Sequence, residues 1–148
     1  MAHDIGARRA HRQSVLRAVC LATVVGLGQD HPSTPHRHPE GQQLGNPIPA
    51  SPASVEAGLK LYTKFCANCH GTSGRGNGRL AAGTAMYGKR PSDLADDQWQ
   101  HGSSDGEIFI AIRDGIGPDF QMDAFGRTMS DEDIWNVVNY VKTLAIRK

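Results

Sequence analysis

The chain has 148 residues, enough for one domain with some length left over, and 39% of them are hydrophobic. No stretch approaches the roughly 20 apolar residues that a membrane-spanning helix needs. Residues 1–50 carry five arginines against three acids, a balance of +2, and residues 51–148 carry 11 Lys and Arg against 12 Asp and Glu, a balance of −1. A nearly neutral domain lacks the clustered cations that nucleic-acid binding requires, so a nucleic-acid-binding protein is excluded.

Residues 1–28 are typical of a secretory signal peptide. Four arginines precede or open a short apolar run, Ala18 to Gly28, whose length suits a signal core rather than a spanning helix. No A-x-A cleavage site is present, and an uncleaved N-terminal anchor is the alternative interpretation. We therefore expect an exported, periplasmic protein, held at the outer face of the inner membrane only if this segment is retained as an anchor.

Residues 29–50 are predicted to form a linker. The segment contains five prolines and the three histidines His31, His36 and His38, and it shows almost no apolar periodicity. This composition is typical of extended, solvated chain. A metal site is one interpretation of the histidines, but polar residues without a specific role are the expected one. The folded domain, residues 51–148, is expected not to depend on the linker.

The first helix of that domain is predicted to begin after Ser51. A serine hydroxyl caps a helix well, and Pro52 suits the first helical position because its missing N–H has no partner there. Apolar residues then recur at helical spacing up to Cys66. The glycine-rich residues 71–88 are predicted to be loop.

Two more helices are predicted further along the chain. Ser104 to Glu107 has the capping-box pattern, and the short helix that it opens is expected to end at Gly115. A loop follows to Phe125. Ser130 precedes three acids in the first turn of an amphipathic final helix. No alternation typical of strands is present, so the predicted fold class is all-α.

The residues Cys66-Ala67-Asn68-Cys69-His70 form a C-x-x-C-H motif, the attachment pattern of c-type haem. Two thiols at this spacing can add to the two vinyl groups on one edge of a porphyrin, and the adjacent imidazole then lies beneath the iron. The motif predicts one covalently attached haem c, bound through Cys66 and Cys69, with His70 as an axial ligand.

Two other chemistries use a C-x-x-C pair. A thioredoxin-like redox pair needs a βαβ setting, and no strand is predicted here. A structural zinc site needs four ligands, and outside the linker only His70 and the distant His101 accompany the two cysteines. Haem attachment is therefore the interpretation that we adopt.

Haem bound in this way takes a second axial ligand, which in cytochromes c is usually methionine. The candidates are Met86, Met122 and Met129. Met129 precedes Ser130 and suits packing as a hydrophobic staple, and Met86 lies close to the attachment motif. Met122 lies in a loop between two helices, from which a ligand can be presented on the opposite side. Met122 is the predicted ligand, with the other two as alternatives.

These motifs resemble those of class I monohaem cytochromes c, including bacterial haem subunits of terminal oxidases and periplasmic dehydrogenases. The resemblance covers Val55 to Leu144 and includes Gly58-x-x-x-Tyr62, Gly74-Arg75-Gly76-Asn77-Gly78 and Met122-x-Ala124-Phe125-Gly126. It implies a cytochrome c fold, with three to five helices packed round one haem. It also implies that the first and last helices cross closely, Gly58 and Tyr62 meeting Val137 and Tyr140.

One residue departs from the family pattern. The family usually has proline after the ligand methionine, and Asp123 stands there in this chain. Proline stiffens a loop by fixing φ. Aspartate is expected to leave the loop freer and, through its charge, to lower the reduction potential.

The resemblance implies an electron-transfer protein that cycles Fe(II)/Fe(III) between redox partners such as a dehydrogenase, an oxidase or another cytochrome. No catalytic residue is predicted. The alternatives are a haem c subunit of a dehydrogenase or oxidase complex, and a small haem peroxidase, which would need an open iron site and a distal acid–base group. His101 is the one spare histidine of residues 51–148, and we expect it to be a surface residue in a flexible loop.

Overall fold

The computed structural model describes residues 34–86, 90–117 and 121–146, so the predicted signal peptide and His31 lie outside the described residues. Within those ranges the protein contains six helices and no strand, which confirms the predicted all-α class. The helices are α1 (Pro39–Gln42), α2 (Pro52–Phe65), α3 (Ala67–His70), α4 (Ala81–Ala85), α5 (Asp105–Asp114) and α6 (Asp131–Ile146). None of these helices is long and apolar enough to cross a membrane.

The three longer helices begin at the predicted caps. The Ser51 hydroxyl accepts a backbone N–H from the first turn of α2, at 3.2 Å. At α5, Ser104 Oγ accepts from Glu107 N at 3.3 Å, and the Glu107 carboxylate accepts from Ser104 N at 3.1 Å. Ser130 Oγ accepts from Asp133 N at 3.1 Å at the start of α6. Each hydroxyl replaces a hydrogen bond that the first turn of a helix lacks.

The core forms where α2 crosses α6 and α5 packs against α6. A Cβ atom on Gly58 would collide with the Asn136 carbonyl and lie 2.9 Å from the Tyr140 Cβ, so only glycine allows this approach. Four residues further along α2, the ring centroid of Tyr62 lies 5.1 Å from that of Tyr140. The predicted close crossing is therefore present, with Asn136 and Tyr140 nearest to Gly58.

The segment from 71 to 86 contains one short helix that the sequence did not predict. α4 spans five residues, Ala81–Ala85, within a stretch predicted to be loop. Alanine is the strongest helix former, and three of these residues are alanine. The glycine-rich sequence around these residues led to the prediction of a loop despite their helix propensity.

Residues 34–50 are not the extended, solvated chain that their composition predicts. α1 packs on α5. Arg37 donates from Nε and Nη2 to the two carboxylate oxygens of Glu107, at 2.7 and 3.0 Å. Further along, Asn46 Nδ2 donates to Asn139 Oδ1 at 2.8 Å. The prediction is wrong for these residues because polar side chains, which leave no periodic apolar signal, attach them to the domain.

The expectation that the histidines of this segment have no specific role is wrong as well. His38 is buried, with 4% of its surface exposed. Its ring centroid lies 4.6 Å from that of His36, which lies 5.0 Å from that of His101. Both pairs meet edge to face, the arrangement that aromatic rings prefer. These contacts join the N-terminal segment to the loop before α5.

Candidate functional site

A large cleft opens between α2, α3, α5, α6 and the loops that contain residues 90–102, Ile116 and residues 121–125. It consists of two adjoining parts of about 650 and about 970 Å³, counting the space open to solvent. The inner part has mainly apolar walls, formed by Tyr62, Leu94, Trp99, Ile108, Ile112, Ile116, Val137 and Val141.

The cleft brings together the four residues singled out from the sequence. Cys66, His70 and Met122 line both parts, and Cys69 lines the outer part. Cys66 caps the end of α2, and the single turn of α3 carries Cys69 and His70. Neither cysteine forms a disulfide. Two thiols and an imidazole therefore share one turn, while a thioether lies on a separate loop of the same cleft.

Hydrogen bonds to its backbone carbonyls hold the turn with the two cysteines in place. Tyr62, which is 1% exposed, donates its hydroxyl to the Gly71 carbonyl at 2.7 Å. Gly76 N donates to the His70 carbonyl at 2.9 Å, and Gly78 N donates to the Cys69 carbonyl at 3.0 Å. The glycine-rich loop thus folds back on the turn and fixes its orientation.

His70 is oriented as a metal ligand requires. Its Nδ1 lies 3.1 Å from the Ser92 carbonyl oxygen, and because a carbonyl only accepts, Nδ1 carries the proton. The other ring nitrogen, Nε2, is then free of a proton and can bind a metal. Burial lowers the pKa of His70, partly offset by this hydrogen bond, so the ring is neutral at pH 7.

The thiol of Cys66 is buried and stays protonated at neutral pH. Burial and the neighbouring Cys69 raise the pKa of the Cys66 thiol to about 12. Reactive and metal-binding thiols have a lowered pKa, because the thiolate is the reactive form. Among the described residues, no three His, Cys, Asp or Glu side chains are grouped in a way that could hold a metal ion.

The loop that carries Met122 is tied to α5 by its backbone. Ile116 and Met122 exchange two hydrogen bonds, of 2.9 and 3.3 Å, and Phe125 N donates to the Ile112 carbonyl at 3.0 Å. The Phe65 and Phe125 rings lie edge to face at 6.1 Å, which joins the loop to the end of α2. Asp123 is exposed and lines the outer part of the cleft.

The two alternative methionines lie elsewhere. Met86 is 85% exposed and does not line the cleft. Met129 is buried among the apolar core residues, as its predicted packing role requires. Of the three candidates, Met122 alone lines the cleft that contains His70.

His101 does not occupy the position expected for it. It is partly buried, lines both parts of the cleft and contacts the His36 ring, so the expectation of a surface residue is wrong. Ser92 was missed as well, because it acts through its backbone carbonyl, which every residue type carries. Trp99 was missed because an isolated tryptophan in a loop shows no periodicity.

The residues present fit haem. Two thiols on one turn, a neutral imidazole, a thioether on a separate loop and apolar walls match the donor set and the surroundings of a c-type haem. Cysteine and methionine at this spacing do not suit magnesium or calcium, which prefer oxygen ligands. The fold and cleft together define a c-type cytochrome, the class of electron-transfer protein whose cofactor is covalently bound haem c.

Comparison with known proteins identifies the family. Residues 53–141, more than half of the chain, match the family model described as cytochrome c oxidase, cbb3-type, subunit III. The chain belongs to this family. The recognised resemblance to cytochromes c and the predicted haem c cofactor are thereby confirmed.

Individual relatives contain this domain in chains of different lengths. The cbb3-type cytochrome c oxidase subunit FixP of Azorhizobium caulinodans is 28% identical over 103 residues, which is 70% of this chain and 31% of that protein. A chain of a Kuenenia stuttgartiensis reducing HAO-like protein complex has a TM-score of 0.56 at 27% identity, covering 68% of this chain and 49% of that one. The c-type cytochrome KustC0563 is 30% identical with a TM-score of 0.48, covering 59% of this chain and 95% of that one. The chain thus spans about a third of the length of FixP.

Proposed function

We propose that this protein carries single electrons between redox proteins through one haem c, attached by Cys66 and Cys69 and ligated by His70 and Met122. The observation that carries the proposal is that Cys66, His70 and Met122 line one cleft although Met122 is 52 positions beyond His70 in the chain. When bound, haem supplies an iron that cycles between the ferrous and ferric states.

The residues of the cleft have separate roles in this proposal. The two thiols fix the cofactor to the turn after α2. The Ser92 carbonyl holds the His70 ring by its Nδ1 proton, so that Nε2 faces the metal. The thioether of Met122 favours ferrous iron and raises the potential. The apolar walls limit the entry of water, which also favours the less charged ferrous form.

An exported location and protein partners are part of the proposal. FixP is by its name an oxidase subunit, and the Kuenenia protein belongs to a reducing complex. We propose a similar setting here, on the outer side of the inner membrane, with residues 1–28 as signal peptide or anchor. The protein then delivers electrons as a carrier or complex subunit and has no substrate of its own.

Redox titration of the purified haem protein tests the proposal. We expect one reversible one-electron transition and a ferric spectrum that millimolar azide and hydrogen peroxide leave unchanged, because both axial positions are filled. A small peroxidase would instead bind azide and react with peroxide at an open iron site. Peroxide-dependent oxidation of a dye, abolished in His101→Phe, would overturn the electron-carrier function in favour of the peroxidase.

A further inference from the structure

The loop from Gln100 to Ser104 forms part of the cleft wall and ends at the cap of α5. Gln100, His101 and Gly102 line the cleft. The backbone N–H groups of Ser103 and Ser104 each donate to Glu107 Oε2 at 3.1 Å. Glu107 has no exposed surface. One buried carboxylate thus holds the end of the loop that faces the proposed haem.

The same carboxylate holds the N-terminal strap, which we define as residues 36–42. Arg37 donates two hydrogen bonds to Glu107, at 2.7 and 3.0 Å. His38 N and Gln42 Nε2 both donate to Glu107 Oε1, at 3.4 and 3.3 Å. A carboxylate that bonds both segments fixes the position of one relative to the other.

The strap also contacts the loop directly. His36 N donates to the Gln100 carbonyl at 3.0 Å, and the His36 ring lies edge to face with the His101 ring, at 5.0 Å. The strap therefore holds both ends of the loop 100–104. It contacts the first end directly, at Gln100 and His101, and holds the second end through Glu107.

Because Glu107 is charged, the connection that it makes between the strap and the loop depends on Arg37. Burial raises the pKa of Glu107, but hydrogen bonds from Arg37, Ser104 and Gln42 outweigh burial and hold the pKa at about 2. The carboxylate is therefore ionised at neutral pH. Removing Arg37 leaves a buried charge with fewer donors, which favours a rearrangement that admits water.

We propose that the N-terminal strap is a positioning element of the haem site, acting through Glu107 to hold the wall loop 100–104 in place and keep water from that side of the cleft. The inference rests on the proposed haem binding. Water next to haem stabilises the more charged ferric form, so a loosened wall lowers the reduction potential.

Three variants of the full-length haem protein test this inference. Arg37→Ala removes the strap's main bond to Glu107, and Arg37→Lys retains one donor and the charge. Asn46→Ala is the matched control, because it breaks another contact of the same N-terminal segment, to Asn139 on α6, and neither residue lines the cleft. Haem content, reduction potential and thermal stability are measured for each.

We expect Arg37→Ala to shift the ferrous-to-ferric equilibrium about threefold toward ferric, about 28 mV at 59 mV per tenfold for one electron. Arg37→Lys should shift it less, and Asn46→Ala should lower thermal stability without moving the potential. An unchanged potential in haem-loaded Arg37→Ala, or an equal shift in Asn46→Ala, would overturn the inference. If Arg37→Ala does not mature, His36→Ala replaces it with the same expectation. Failure of the proposed function is recognised separately in the wild-type protein, which would then contain no covalent haem or would oxidise a dye with peroxide.

Discussion

At the scale of single residues, the site depends on which atom of each side chain is already engaged. His70 uses Nδ1 to bond the Ser92 carbonyl, and this leaves Nε2 available to the proposed haem iron. Met122 is presented by two backbone hydrogen bonds with Ile116, so the position of its thioether is set by the loop. The residue types of this site could be predicted from the sequence, but the Ser92 carbonyl could not, because a backbone atom leaves no trace in residue type.

Replacing Met122 tests the proposed sixth ligand. Met122→Ala should abolish the weak sulfur-to-iron charge-transfer band of the ferric protein and lower the reduction potential, because the thioether favours ferrous iron. Absorption spectra and redox titration measure both effects. Met129→Leu is the control, since an apolar replacement of similar volume should cost less than about 1.5 kcal/mol and keep the band. If Met86→Leu loses the band and Met122→Ala keeps it, the ligand is Met86.

The pH dependence of stability tests the ionised state of Glu107. Its pKa lies at about 2 in the folded protein, below its ordinary value of 4.5, so the ionised group stabilises the fold above pH 4.5. This contribution is lost as the pH falls from about 4.5 toward 2. Thermal melting between pH 6 and pH 3 should therefore show a smaller decline for Glu107→Gln than for wild type. Equal declines in the two proteins would contradict this explanation.

At the scale of elements, helix starts were predictable and the contacts between distant segments were not. The caps at Ser51, Ser104 and Ser130 follow from short local patterns, and all three are present. The position of residues 34–50 depends on pairs such as Arg37 with Glu107, 70 positions apart. Sequence patterns within one helix period contain no information on such polar pairs. The prediction of an extended linker was wrong for residues 34–50 for this reason.

The crossing of α2 and α6 gives a direct test of packing. Gly58→Ala should destabilise the protein by about 1–3 kcal/mol, because the added Cβ collides with the Asn136 carbonyl. Gly83→Ala is the matched control, since a Cβ there meets nothing within 4 Å, and it should be neutral or slightly stabilising. Chemical denaturation of the haem protein measures both. Equal stability of the two variants would contradict the close crossing.

At the scale of the whole molecule, the outer part of the cleft carries charges of both signs, because Asp123 lines it together with Arg90. Arg90 is exposed and lines the outer part of the cleft, whereas three acids open α6 at Asp131, Glu132 and Asp133. Lys89, which the sequence places beside Arg90, lies outside the described residues. Because exposed charges act over about 10 Å at 0.1 M salt, Arg90 should influence small ions that approach the cleft.

Electron exchange with small inorganic reagents measures the charge at the cleft. Arg90→Gln should slow oxidation by the anion ferricyanide and weaken the dependence of its rate on ionic strength, because a cation beside the electron path attracts anions. Lys60→Gln removes the same charge on α2, outside the cleft lining, and should have a smaller effect. The two variants are compared with wild type by stopped-flow measurement of the oxidation rate over a range of salt concentrations. Equal effects of the two variants would show that only net charge matters.

The most direct test of the central claim is mass spectrometry of the haem on its peptide. The account predicts that protein matured in a haem-ligating host gains the mass of one haem, retains it through acid–acetone extraction, and carries it on the tryptic peptide containing Cys66 and Cys69. Replacing both cysteines with alanine should abolish the added mass. Haem that acid–acetone removes from the wild-type protein, or wild-type protein with no added mass, would contradict the claim that this chain is held to its haem by these two cysteines.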